Sequence, residues 1–318
     1  MTVYAPMLRE RRILGCKTET TVGTPIALAA ADATINVWNV DIQNEGEYEP
    51  RDGQGNFSPL SGTVGPEIGT VKFQTEVYGG ASAPLWMSKL LPACGAYGAA
   101  LAYTPQTNPP GSGNVKTLTI GVWEDGLFKS IAGAMGNPVF TFTAGKRVMV
   151  EFTFRGVWQP PVDAALPTPT YITTAPLKFD AAALTYGTWT PRAANMTLDF
   201  GNDVQIREDG SSTGGILSAC IVNRAMKVTM DPESMLIASG TGEGDVFGMR
   251  LAGTNAALAW TLDNGVTSLA FAAPKAQITK ISTADRNKLQ TDQIELALNR
   301  SASLGDDGVT ITSGTEIT

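Results

Sequence analysis

Histidine is absent from all 318 residues of the chain, which rules out a His-based catalytic triad and histidine metal ligation. Cysteine is scarce: Cys16, Cys94 and Cys220 are far apart, odd in number and form no CxxC pair. They read as free thiols of a reducing compartment rather than as a disulfide framework. Charge is thin, 17% of the chain, and tilted to −7 overall. Apart from Arg9, Arg11 and Arg12 and the pair Lys146-Arg147, Lys and Arg are scattered singly, so the extended basic surface that grips duplex DNA is missing. No apolar run approaches the roughly 20 residues that span a bilayer, and the N-terminus has no signal-peptide apolar core. These absences predict a protein made in a cytoplasm, without a membrane partner.

What is present is apolar residue, 43% of the chain, together with 34 Gly and 19 Pro. That balance fits a β-rich fold with many turns. The length allows two domains, each with its own core.

The chain also carries a weak internal repeat. Residues 131–158 run small residues, a Pro, a strand, a short polar break and a second strand, and residues 269–300 repeat that order with Pro274 in the place of Pro138. Residues 34–43 and 68–78 alternate as strands, and 84–91 suits a short helix opened by Pro84. Residues 115–128 read as a hairpin through Asp125-Gly126. In the second half 195–208 and 223–230 read as strands, 246–252 as the short helix and 258–271 as the hairpin, turned by Asp263-Asn264-Gly265. The expected fold is therefore mainly β: two tandem β-sandwich or barrel-like domains, each with one short flanking helix. The first spans 1–158 with an N-terminal arm, the second 176–318, and a Pro-rich linker covers 159–175. The tail after 302 reads as peripheral.

No segment assembles a catalytic set. Cys94 has no neighbour to lower its pKa and reads as a small buried hydrophobe. Gly145-Lys146-Arg147 lacks the upstream glycine and the hydroxyl of a phosphate loop, and Ser239–Asp245 misses the dinucleotide spacing. Nothing in the chain order selects a carboxylate pair for glycoside hydrolysis. The reading is of a structural protein, not an enzyme, with no cofactor and no metal. Residues 44–66 form a long polar segment with Glu45, Glu47, Glu49 and Asp52 against Arg51, together with Tyr48 and Phe57, and it is either a solvated loop or a contact element. Glu208, Asp209, Ser211 and Thr213 open a shorter version of it. Arg9, Arg11 and Arg12 sit in a segment that is either a docking arm or a first strand.

In order along the chain, several segments resemble the tail tube protein family of long, non-contractile phage tails. They are Lys17–Pro25, Gly69-Thr70-Val71 with Phe73, Ala83–Trp86 through Leu90–Gly95, Asp125-Gly126-Leu127 with Ile131–Ala134, and Gly145-Lys146-Arg147 leading into Phe152–Gly156. They cover about half the chain. The second half lacks the Pro-Leu-Trp and Ala-Cys-Gly ends of the helix, so it is either a duplicated tube domain, the preferred reading, or a decoration of the same topology.

The resemblance implies a virion structural protein that self-assembles into stacked rings in the host cytoplasm and forms the tail conduit for DNA ejection. Its partners would be itself and the tape-measure, terminator and baseplate proteins, with DNA passing through unbound. A duplicated chain implies a homo-oligomer, a trimeric ring of pseudo-sixfold symmetry, with a hexameric ring second. Residues 44–66 would then be an inter-ring contact or partner-docking arm, and 209–215 its shorter copy. The alternatives are a terminator, baseplate hub or capsid-decoration protein of the same fold, or a carbohydrate-binding β-sandwich.

Overall fold

A computed structural model describes residues 6–53, 55, 57–237, 244–303 and 305–315. Residues 1–5 of the expected N-terminal arm, two residues of the 44–66 loop, and 239–243 of the Gly-rich run lie outside the described residues.

The first half contributes β1 (Arg12–Thr18), β2 (Val37–Asn44), β3 (Tyr48–Arg51), β4 (Leu60–Val64) and β5 (Ile68–Glu76). A buried turn segment follows over Trp86–Cys94, a π turn run into a 3-10 turn. Then come β6 (Ala96–Tyr97), β7 (Ala102–Pro105), β8 (Leu118–Glu124), β9 (Leu127–Thr143) and β10 (Met149–Asp163). The second half adds β11 (Thr185–Tyr186), β12 (Ala193–Asp199), β13 (Asn202–Glu208), β14 (Ile216–Arg224) and β15 (Lys227–Pro232). It ends with α1 (Val246–Leu251), β16 (Asn255–Asp263), β17 (Thr267–Arg286), β18 (Leu289–Asn299) and β19 (Thr310–Thr315).

The chain is mainly β, as its composition predicts, and both expected short helical segments are present, though the first is wound as π and 3-10 turns rather than as an α-helix. Pro92 removes one backbone donor within it, and Gly95, at φ 67°, closes it in the left-handed region. The hairpin expected through Asp125-Gly126 joins β8 to β9, and both turn residues take the positive φ that a type I′ turn requires.

The strands of the two halves lie side by side in one antiparallel sheet, in the order β2-β5-β10-β9-β12-β15-β18-β17. Each half supplies four of these, and the pairing of β9 with β12 joins them. One register row crosses all eight: Val37, Thr75, Val150, Phe140, Leu198, Val228, Leu296 and Ile278. All but Val37, which is half-buried, are buried. The next row along lies on the opposite face and reads Trp38, Gln74, Glu151, Val139, Asp199, Lys227, Ala297 and Gln277. Period-two alternation thus gives the sheet a core face and a predominantly polar face.

The N-terminal ends of β9 and β17 bend over the core face, carrying β8 with β1 and β16 with β11. Aromatic rings close the space between these layers. Phe142 meets Trp260 edge-on at 5.6 Å and Phe271 at 5.5 Å, and Phe140 meets Trp86 at 5.8 Å and Phe271 at 5.6 Å. Residues of both halves accordingly share one continuous hydrophobic core.

Two segments differ from expectation. The tail is not peripheral: β19 pairs with β17 and with β7 of the first half, and Val309, Ile311 and Ser313 are buried. Its Thr-Ile-Thr-Ser alternation is a strand pattern that the surrounding Gly and Ser obscured. The Pro-rich segment starts later than 159, because β10 continues to Asp163 and pairs back to Leu127. Pro160 and Pro161 fall at a register irregularity there, which spares ladder hydrogen bonds that proline cannot donate.

Candidate functional site

The eight-stranded sheet leaves its two outermost strands open. β2 pairs with β5 on one side and with no described strand on the other. Its outer edge is engaged at Val40, whose carbonyl accepts from Arg12 Nη1 at 2.8 Å. At the far end, β17 pairs with β18 through Arg286, while β16 covers its other side no further than Gln277. The Thr279 carbonyl accepts from Arg250 of α1, and from Lys280 to Arg286 that edge meets no described strand. On β9 the corresponding stretch past β8, Val139–Thr143, is where β12 pairs. The open edge of β17 is therefore the counterpart of an edge already occupied inside the chain.

The long loop predicted over 44–66 is largely a hairpin, β3–β4, in the register Tyr48↔Val64, Glu49↔Thr63 and Arg51↔Leu60. Its strands are hard to read from sequence, because Gly62 and Gly65 and the Pro residues dilute the alternation. Glu45 sits at its base, accepting from Thr70 Oγ1 at 2.6 Å and facing Arg155 at 3.4 Å. Tyr48 Oη accepts from the Gly62 amide, and Thr63 donates to Glu49. Glu47, Arg51 and Asp52 are exposed, and Phe57 is fully so.

The copy of this element in the second half is also a hairpin, β13–β14, and it is folded down on the first half. Asn202 Nδ2 donates to the carbonyls of Cys94 and Gly136 at 2.8 and 2.9 Å, and Arg224 Nη2 donates to that of Gly95 at 2.9 Å. Ala219 closes a small apolar cluster with Val115 and Met135, flanked by Val204, Ile206 and Ile221. At the tip, Glu208 pairs with Ile216, and Asp209 accepts from the Ser211 amide and the Ser212 hydroxyl. Those bonds, the Ser211 amide foremost, hold the Asp209 carboxyl below the usual carboxylate range. Ser211 and Thr213 lie beside it in the turn.

Of the N-terminal basic residues, Arg12 opens β1 opposite Glu124, which its guanidinium meets at 2.6 Å, and Arg11 pairs with Asp125 at 2.5 Å. Arg9 is exposed on the segment before them. From residue 12 onward, then, this segment is a first strand.

One residue that sequence reading passed over is Glu19, inside the Lys17–Pro25 segment. Its carboxylate is buried and accepts four hydrogen bonds: Gly23 N at 2.9 Å, Gly133 N at 2.7 Å, Thr117 Oγ1 at 2.6 Å and Thr119 Oγ1 at 2.9 Å. Gly133 has φ 59°, and a Cβ there would sit 2.8 Å from the Ser218 Cβ of β14. This clasp therefore shapes the floor on which β13–β14 rests. Only the spacing of Glu19 from Gly23 hinted at it.

Cys16 and Cys94 are both fully buried. Burial pushes the Cys16 thiol up to about 12 and Cys94 well above its ordinary value, so both stay protonated. No cluster of three or more Cys, Asp or Glu side chains suited to a metal ion occurs among the described residues. Among the described residues, no helix is long and apolar enough to cross a membrane. No family model matches the chain, and no curated protein matches it in sequence.

Proposed function

We propose that this protein is a structural subunit that joins copies of itself head to tail through the edges of its sheet, closing rings that stack into a phage tail tube. The observation that carries the reading is the β9–β12 joint. Two four-stranded units are already paired edge to edge inside one chain, and the same two kinds of edge, on β17 and β2, stand open at its ends. Unpaired edges are normally blunted or covered, and a ring removes them. Repeating the internal joint between chains places β17 of one copy antiparallel to β2 of the next.

The dimensions suit a conduit. Three copies would bring about 24 strands, and at about 4.8 Å spacing and a tilt near 40° these enclose a backbone cylinder about 48 Å across. Side chains would leave roughly 35 Å, wider than a DNA duplex of about 20 Å. In this arrangement the polar face of the sheet lines the bore. Two of its cations have anionic partners: Lys72 meets Glu151 at 2.9 Å, and Arg147 pairs with Glu76 while lying over the Trp38 ring. Such a surface offers phosphate few free positive charges, so DNA would slide past without binding.

Negative-stain electron microscopy of the concentrated protein tests the reading. Hollow rods, or rings with threefold or pseudo-sixfold symmetry, are the expected result. Closed rings that never stack would move the assignment to a terminator or hub of the same fold. A chain that remains monomeric at every concentration would refute self-assembly through these edges.

A further inference from the structure

The halves differ in which contacts are satisfied. The hairpin β13–β14 lies against the turn Leu91–Gly95, and every residue of Leu91–Cys94 is buried. The matching hairpin, β3–β4, stands in solvent: β3 is exposed throughout, and the cross-strand pair Tyr48 and Val64 is 64% and 72% exposed. The second half holds the complement. Its short helix, α1, occupies the place of the Trp86–Cys94 turn, yet Leu251 is 91% and Phe247 50% exposed, and Met235, close by at Gly244, is half exposed. The first half thus has a covered turn and an undocked hairpin, while the second has an uncovered helix and a hairpin that is docked on the first.

We propose that β3–β4 is a lateral arm that docks on α1 of the adjacent copy in the ring, as β13–β14 docks on the Leu91–Gly95 turn of its own chain. The occupant of the apolar face on α1 is therefore a second copy of this chain. The inference rests on the edge-pairing reading above and deepens it by giving the arm a partner. The arm cannot reach its own α1, because it springs from β2 at one end of the sheet and α1 flanks β17 at the other. Pairing β17 with β2 of the next copy brings the two together. Their chemistry is complementary: Tyr48, Leu60 and Val64 against Phe247 and Leu251, with Glu49 on the arm and Arg250 on the helix. Large apolar side chains exposed together, as Phe247 and Leu251 are on α1, fit an interaction site.

Cysteine pairing in the full chain tests the docking. Val64→Cys and Leu251→Cys alter exposed side chains, and wild-type protein sets the background from the native cysteines. With a short bis-maleimide, each single variant alone should cross-link no more than wild type. An equimolar mixture of the two should yield a covalent dimer, because the contact is heterologous. Leu251→Asp should raise the concentration needed for assembly at least tenfold while leaving the monomer's melting temperature unchanged. Rings that form without cross-linking in the mixture would overturn the arm's assignment and leave edge pairing standing. Cross-linking of Val64→Cys with itself would overturn it too, since it would mean an isologous contact. Absence of any oligomer by light scattering would overturn edge pairing, and the arm's docking with it.

Discussion

Replacing Phe140 by alanine asks whether the two halves are one folding unit. Its ring sits where β9 meets β12, 5.8 Å from Trp86 and 6.4 Å from Phe142 of the first half, and 6.2 Å from Phe200 and 5.6 Å from Phe271 of the second. It is fully buried. Truncating such a side chain removes its transfer free energy and leaves a cavity, together costing about 4 kcal/mol. Spread over all 318 residues at about 2.1 cal/mol/K each, the unfolding entropy is about 670 cal/mol/K, so the melting temperature should fall by about 6 °C. Were the halves separate cooperative units, the entropy of one would be about half as large and its own transition would fall by about 12 °C. Scanning calorimetry of dilute monomer separates these cases. One endotherm that shifts as a whole by about 6 °C is expected for both wild type and variant. Two endotherms, of which one moves by about 12 °C and the other stays, would refute the shared core.

Glu19→Ala leaves two hydroxyls and two amides without their buried acceptor and should cost about 3 kcal/mol, while Glu19→Gln, which keeps one oxygen, should cost less; urea midpoints rank the two. Burial raises the thiols of Cys16 and Cys94, so their contribution is fully present below the unfolded thiol pKa and lost as pH rises toward the folded value, about 12 for Cys16. Above pH about 9 each should therefore remove about 1.4 kcal/mol of stability per pH unit, and Cys16→Ala should flatten that alkaline decline in unfolding titrations between about pH 8 and 11. Replacing the exposed arm 48–64 by a two-glycine turn should leave monomer stability within about 0.5 kcal/mol while abolishing rings in electron micrographs. The matching deletion of the docked hairpin 202–224 should lower the melting temperature outright.

What the sequence made legible was what local pattern controls. Alternation in Ile68–Glu76 and the Asp-Gly turn at 125–126 marked strands and a hairpin, and the order of strand, break and strand in 131–158 and 269–300 marked the two longest hairpins of the sheet. Each of these rests on neighbours in the chain. What stayed hidden was non-local. Nothing in Thr310–Thr315 says that it lies beside Ala102 and Tyr103, about 200 residues earlier, because a strand's partner is fixed by the assembled sheet and not by its own pattern. Glu19 looked like any surface acid until Thr117, Thr119 and Gly133 converged on it. The arm was hidden for another reason: its apolar residues face solvent in the single chain, so no burial pattern organises them.

That last feature bears on why such a chain carries two units. In the ring reading, a half-ring joint formed within the chain closes at the high effective concentration of a short tether, so β9–β12 and the docked β13–β14 form with folding itself. This joint can be packed like a core, and it is: Phe140, Phe142, Met196 and Leu198 on its two strands are all buried. The joint between chains cannot be prepacked, since both of its surfaces must stay open in the free subunit. In the ring reading it includes apolar side chains that stand in water, Tyr48 and Val64 on the arm and Phe247 and Leu251 on α1. Open edges and apolar patches invite indiscriminate pairing, and the charges set among them, Glu47, Glu49, Arg51 and Asp52 on the arm and Lys280, Asp285 and Arg286 along the β17 edge, oppose any partner that does not match them. In the ring reading, two units in one chain thus halve the number of joints that depend on concentration.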